Sequence, residues 1–158
     1  MEDHALRPMR RQDREADDVE ARDILSKGIF GVLSTVGPDG LPYGVPVSYV
    51  YYEGEVLIHS APEGRKVENI LNSPQVSFCV VGLAEPEPEM FSMRYASAIV
   101  SGTVRELFED EKQKALERLI IRYSPDFQKQ GIEYISTRKD LTRVFALKVE
   151  QLTGKRRY

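Results

Sequence analysis

Val56-Leu57-Ile58-His59-Ser60-Ala61-Pro62-Glu63-Gly64-Arg65-Lys66 is the stretch on which the reading of this chain turns. It opens as a short apolar strand, bends through Ala61-Pro62 and enters a helix whose first residues carry Arg65 and Lys66. Hydroxyl, amide and cationic donors are thereby collected in one place. Helix-start N–H groups and the positive end of the macrodipole favour an anion, a guanidinium offers a forked donor set and an ammonium a point charge. A terminal phosphate fits such a corner; so does a plain strand-to-helix turn with two solvated cations. The surrounding chain has to decide.

Upstream, Asp17-Asp18 are N-cap candidates for a short helix with Val19, Ala21, Ile24 and Leu25 on one face and Lys27-Gly28 at its end. Residues 29–36 read as a strand, Gly37-Pro38-Asp39-Gly40 as a turn, and residues 41–52 as a second strand interrupted by Pro42 and Pro46. A prolyl position donates nothing to a neighbouring strand. Pro46-Val47-Ser48-Tyr49 is thus a place where regular pairing fails and backbone groups face a ligand, or else a bulge on an edge strand. Downstream, the helix from Lys66 continues through Val67, Ile70 and Leu71 to Asn72-Ser73-Pro74, and residues 75–82 form a buried strand. Residues 83–93, with three acids and two prolines, read as a loop. A long strand over 95–107 carries Gly102 as a bulge or close-approach point, a helix spans about 109–123, and 125–140 is mixed with room for a second short helix. The last strand covers 142–152. Local hairpins with few crossovers predict a mainly β fold with flanking helices, an antiparallel sheet of about six strands closed into a small barrel.

Composition narrows the function. The 158 residues, 41% hydrophobic and 30% charged, suit one domain over 17–158 behind a charged N-terminal arm, residues 1–16. No apolar run is long enough to cross a bilayer, the net charge of −3 argues against nucleic acid as a partner, and no secretion signal is visible, so a cytoplasmic protein is expected. The single Cys79 lies in an apolar run, and with only His4 and His59 a His/Cys metal cluster cannot be assembled in one chain. There is no GxSxG elbow, Walker loop, GxGxxG turn or HExxH helix. If this is an enzyme, its hard chemistry belongs to a cofactor. Tyr43, Tyr49, Tyr51 and Tyr52 crowd the second strand and, with the phosphate corner, suit a planar phosphorylated cofactor; they fit equally as half-exposed strand residues.

Six segments then fall in a telling order: Met9-Arg10-Arg11-Gln12-Asp13-Arg14-Glu15, Pro46-Val47-Ser48-Tyr49, His59-Ser60-Ala61-Pro62-Glu63-Gly64-Arg65-Lys66, Asn72-Ser73-Pro74, Tyr95-Ala96-Ser97 with Gly102, and Thr153-Gly154-Lys155-Arg156-Arg157. In these the chain resembles the pyridoxamine 5′-phosphate oxidase-related, FMN-binding split β-barrel family, and within it the NimA-like nitroimidazole-resistance flavoproteins. The resemblance runs from residue 9 to 157 and is most specific at residues 59–66.

It implies a homodimer with FMN at the subunit interface, FAD, deazaflavin or haem being the alternatives. Carried over by position, the backbone of Val47, Ser48 and Tyr49 would face the isoalloxazine, and His59 and Ser60 would lie beside the ribityl-phosphate region. Arg65 and Lys66 would hold the phosphate, and Ser97 would reach the flavin of the partner subunit. His59 is also the candidate proton donor or orienting group towards a small-molecule substrate. The basic tail at residues 154–157 could extend to the flavin or its phosphate, a frayed end being the plainer reading. The implied activity is electron transfer from a reduced nicotinamide through the flavin to a small organic acceptor, a nitroaromatic being one option. The alternative is a binding or carrier protein without turnover. The basic residues with which true pyridoxamine phosphate oxidases hold their substrate's phosphate are not recognisable, so vitamin B6 oxidation is not carried over.

Overall fold

The computed structural model describes residues 8–158; the part of the expected arm formed by residues 1–7 lies outside the described residues. Twelve elements organise it. In order they are β1 (Glu15–Ala16), α1 (Asp18–Lys27), β2 (Gly31–Val36), β3 (Pro42–Val47), β4 (Val50–Tyr52), β5 (Glu55–Ser60), α2 (Arg65–Asn72), β6 (Gln75–Glu87), β7 (Ser92–Leu107), α3 (Glu109–Tyr123), α4 (Gln128–Arg138) and β8 (Arg143–Arg157).

All strand pairs are antiparallel, in the order β3-β2-β6-β7-β8-β5-β4, with β1 added on β8. The two ends of that path, β3 and β4, are consecutive in sequence and separated only by Ser48 and Tyr49. So short a link spans no more than about 11 Å, which obliges the sheet to curl until the end of β3 and the start of β4 lie close, although the two strands do not pair. This is the split barrel that the family resemblance implies, an open sheet rather than the closed one expected from the strand pattern. The strands number eight rather than about six because the expected strand 41–52 divides at Ser48-Tyr49 and because β1 is an additional two-residue rung.

Alternation sorts the residues. Leu33, Val56, Ile58, Phe78, Val80, Val100, Phe145 and Leu147 fill the barrel interior. Helix α1 closes one end; Asp17 accepts the Glu20 N–H at 2.8 Å as its N-cap, and Ala21, Ile24 and Leu25 are buried. Helix α2 closes the other with Val67 and Ile70, and its buried Asn69 donates to the Thr35 hydroxyl at 2.9 Å. Helices α3 and α4 lie outside the wall, where Leu116, Leu119 and Ile135 cover Leu57, Val144 and Ala146. Gly102 sits at a register shift, and a side chain there would overlap the Lys148 carbonyl oxygen, so it is both bulge and close approach.

The segment 83–93 departs from its expectation as a loop. β6 continues to Glu87, a 3-10 turn covers Pro88–Met90, and β7 returns from Ser92. The acids that made it look like loop are cross-strand partners: Glu85 pairs with Arg94 at 3.0 Å and Glu87 with Arg157.

Candidate functional site

The corner after β5 is built as the sequence pattern requires. Residues 61–64 turn, Gly64 takes a φ of 127° that side-chain-bearing residues rarely adopt, and α2 begins at Arg65 without a side-chain cap. The corner is held down from β8. Arg143, bound to Glu106 at 2.8 and 2.5 Å, also reaches the Pro62 carbonyl at 3.4 Å. Sequence reasoning missed Arg143 because nothing local marks a contact 81 residues away.

Arg65 is exposed, with its guanidinium 4.6 Å from the centre of the Tyr43 ring. Lys66 is half-buried, and burial lowers its pKa. Among the described residues neither cation has a carboxylate within ion-pair distance, whereas Arg143 and Arg156 each hold one and Arg105 holds two. The helix start therefore presents positive charge with its N–H groups uncapped.

His59 and Ser60 lie on opposite faces of β5, as successive strand residues must. Ser60 turns inward and is buried, 7% exposed. His59 turns outward with Leu57, set partly against Leu116 and Leu119 and partly open to solvent. Burial, and then the nearby Lys66 ammonium, lower the imidazole pKa below its ordinary 6.5. The two residues do not line one ligand surface side by side.

Regular pairing does fail after Pro46-Val47. Val47 still pairs with Gly31; Ser48 is exposed; Tyr49 has no exposed surface. The main chain of Tyr49, however, is satisfied within the molecule. Its N–H donates to the Tyr123 hydroxyl at 2.8 Å, and that hydroxyl lies 2.8 Å from the Tyr49 carbonyl oxygen and 2.6 Å from that of Ile29. Tyr49's own hydroxyl donates to the Leu25 carbonyl, and its ring meets Phe78 edge-on at 4.9 Å. Of the three main-chain positions expected to face a ring system, Ser48 is the one left accessible. Nor do the tyrosines form a free platform. Tyr51 takes a hydrogen bond from Arg22 at 2.7 Å, and Tyr52 is covered by the Arg118 guanidinium, 3.9 Å from its ring centre.

Ser97 lies elsewhere, on the outer face of β7 opposite Val81 and Lys155. The row beside it runs Pro46-Val32-Cys79-Ile99-Thr153 across five strands. Val81 and Ile99 are 57% and 45% exposed there, whereas α3 and α4 pack elsewhere on the sheet, on Leu57, Val144 and Ala146. The tail at 154–157 is the end of β8 rather than a frayed segment, with Arg156 paired to Glu20 at 2.5 Å. Lys155 reaches toward Tyr95, its Nζ 5.7 Å from the ring centre, while Arg14 donates to the Tyr95 hydroxyl at 3.3 Å. No group of three His, Cys, Asp or Glu that could hold a metal occurs among the described residues, and no helix there is long and apolar enough to cross a membrane.

The sequence matches the family model described as pyridoxamine 5′-phosphate oxidase over residues 17–156. No curated protein matches it. Among solved structures, a candidate 5-nitroimidazole antibiotic resistance protein from Bacteroides thetaiotaomicron superposes with a TM-score of 0.73 at 24% identity, covering 88% of this chain and 83% of that one. An FAD-binding protein from Mesorhizobium loti gives 0.65 at 23% identity, covering 92% and 98%. The FAD and heme binding protein from Mycobacterium smegmatis gives 0.74 at 18% identity, covering 90% and 73%. At these identities the structural matches speak for the fold.

Proposed function

The chain belongs to the pyridoxamine 5′-phosphate oxidase family, and from that premise we propose that it is a flavin-binding protein, with FMN as the cofactor and Arg65 and Lys66 as the anchor of its phosphate. The observation that carries this reading is the uncapped start of α2, where two cations stand without carboxylate partners among the described residues. A phosphate there would restore to the half-buried Lys66 the stabilisation that burial removes. Exposed Ser48 would offer main-chain groups to the ring, and His59 would orient a small substrate by a hydrogen bond or, in its protonated form, give it a proton, the lowered pKa favouring the first role near pH 7. The flavin, when bound, would supply two-electron chemistry.

Two subunits would complete the site. The uncovered sheet face carries Val32, Cys79, Val81 and Ile99 in one apolar patch, next to Ser97. A second copy packed on that face would bring Ser97 towards the partner's cofactor. The reaction we favour is electron transfer from a reduced nicotinamide to a small organic acceptor, a nitroaromatic among the candidates. A second reading, a carrier without turnover, draws support from the similar FAD and heme binding protein. Steady-state assays with NADH and NADPH across an acceptor panel separate the two, because a carrier loads flavin yet is never reduced.

The direct test is flavin titration of the purified protein and of the Arg65→Ala/Lys66→Ala variant. Each charge-assisted contact to phosphate contributes about 1.5–3 kcal/mol. The double variant should therefore lose about a hundredfold or more in FMN affinity, and riboflavin, which lacks the phosphate, should bind both proteins alike. Equal FMN affinity in the two proteins would remove the phosphate assignment.

A further inference from the structure

Between α3, α4 and β5 lies a cleft of about 130 Å³, apart from the α2 corner, bordered by His59, Leu116, Leu119, Ile120, Ile135 and Thr142 with Tyr134, Arg138 and Lys139. We propose that it binds a small monocyclic carboxylate, the ring lying among Leu116, Leu119, Ile120 and Ile135 and the carboxylate meeting Arg138 and Lys139.

Size selects the ring. An apolar cavity of roughly 150 Å³ accepts benzene, so this cleft takes one six-membered ring and is too small for the three fused rings of a flavin. The occupant is therefore a different molecule from the cofactor. The walls select an apolar body, since four aliphatic side chains from two helices converge there.

Charge selects the polar end. Arg138 and Lys139 are exposed and, among the described residues, have no carboxylate within ion-pair distance. Arg138 lies 5.9 Å from the Tyr134 ring centre, while Lys139 also borders an adjoining cleft that holds Glu109, Asp110 and Asp140 with Lys112, which leaves Arg138 as the principal carboxylate partner. His59 adds a donor on the β5 side, and no acid is among the residues that border the cleft. A guanidinium at the mouth of an apolar slot is the arrangement that holds a carboxylate by two parallel hydrogen bonds.

The test uses 4-fluorobenzoate, fluorobenzene and 4-fluorobenzylamine, followed by fluorine NMR on the whole protein with and without added FMN. 4-Fluorobenzoate should bind saturably. Ile120→Trp, which fills the cleft from its partly buried wall, should weaken it at least about tenfold, and Arg138→Gln/Lys139→Gln should do the same while leaving fluorobenzene unaffected. Circular dichroism of each variant confirms folding; should Ile120→Trp fail to fold, Leu116→Phe serves in its place. Non-saturating binding, indifference to the filling variant, or tighter binding of the amine would each overturn the proposal. Failure of the flavin reading is separable, since it would leave 4-fluorobenzoate binding intact in a protein that takes up no flavin.

Discussion

Replacing Tyr123 by phenylalanine tests how the barrel is closed. The hydroxyl accepts the Tyr49 N–H and can donate its one proton to the carbonyl of Ile29 or of Tyr49, so two hydrogen bonds exist at any moment. At about 1 kcal/mol net each, their loss costs about 2 kcal/mol. The Tyr49 N–H left behind belongs to a residue with no exposed surface, which pushes the cost up; Tyr123 itself is 38% exposed, so water can partly replace its oxygen, which pulls it back. For a domain of this length, 2 kcal/mol corresponds to a fall of about 4–8 °C in melting temperature. Thermal and urea unfolding of wild type and variant measure it. Tyr51→Phe is the control, since it loses only the exposed contact to Arg22 and should change stability by less than about 0.5 kcal/mol. A Tyr123→Phe melting point within about 1 °C of wild type would show that the hydroxyl does not hold the β3–β4 junction.

Other perturbations follow from the same geometry. Gly102→Ala should destabilise by about 3 kcal/mol or more, because the new methyl overlaps the backbone oxygen of Lys148 and no flexible side chain can yield; an unfolding midpoint near wild type would contradict this. His59 should titrate below 6.5 by NMR, with burial and then Lys66 as causes. Because the unfolded chain binds that proton more readily, the stability due to His59 is full above 6.5 and declines as pH falls through the lower folded value. His59→Gln should flatten the stability profile in that window, and an imidazole titrating at or above 6.5 would refute the reasoning. Val81→Glu/Ile99→Glu should convert the proposed dimer into an 18.0 kDa monomer in sedimentation; a variant that remains dimeric, or a wild type that is monomeric, would mean that this face is not the subunit contact.

Much of the fold was legible because it rests on local rules. Asp17 caps the first helix as its residue type demands, and Gly102 sits at a close approach as an isolated strand glycine suggests. The hairpin at 83–93 was not legible, since Glu85 and Glu87 become strand residues only through Arg94 and Arg157, partners that a window on the sequence cannot show. At the site, period-two alternation already separates His59 from Ser60, a signal present in the string Leu57-Ile58-His59-Ser60. The occupation of Tyr49 by Tyr123, 74 residues away, had no such signal.

The position of β8 within the sheet has a consequence for biosynthesis. It is the last strand of the eight, yet it pairs with β1, β5 and β7 and alone ties the β4–β5 hairpin to the other strands. Without residues 143–157, the β4–β5 hairpin and the β3-β2-β6-β7 strands share no pairing. Joining the two therefore waits on synthesis of those fifteen residues, and until then the β5 and β7 edges that β8 covers have no partner, which is where a nascent chain is open to mispairing.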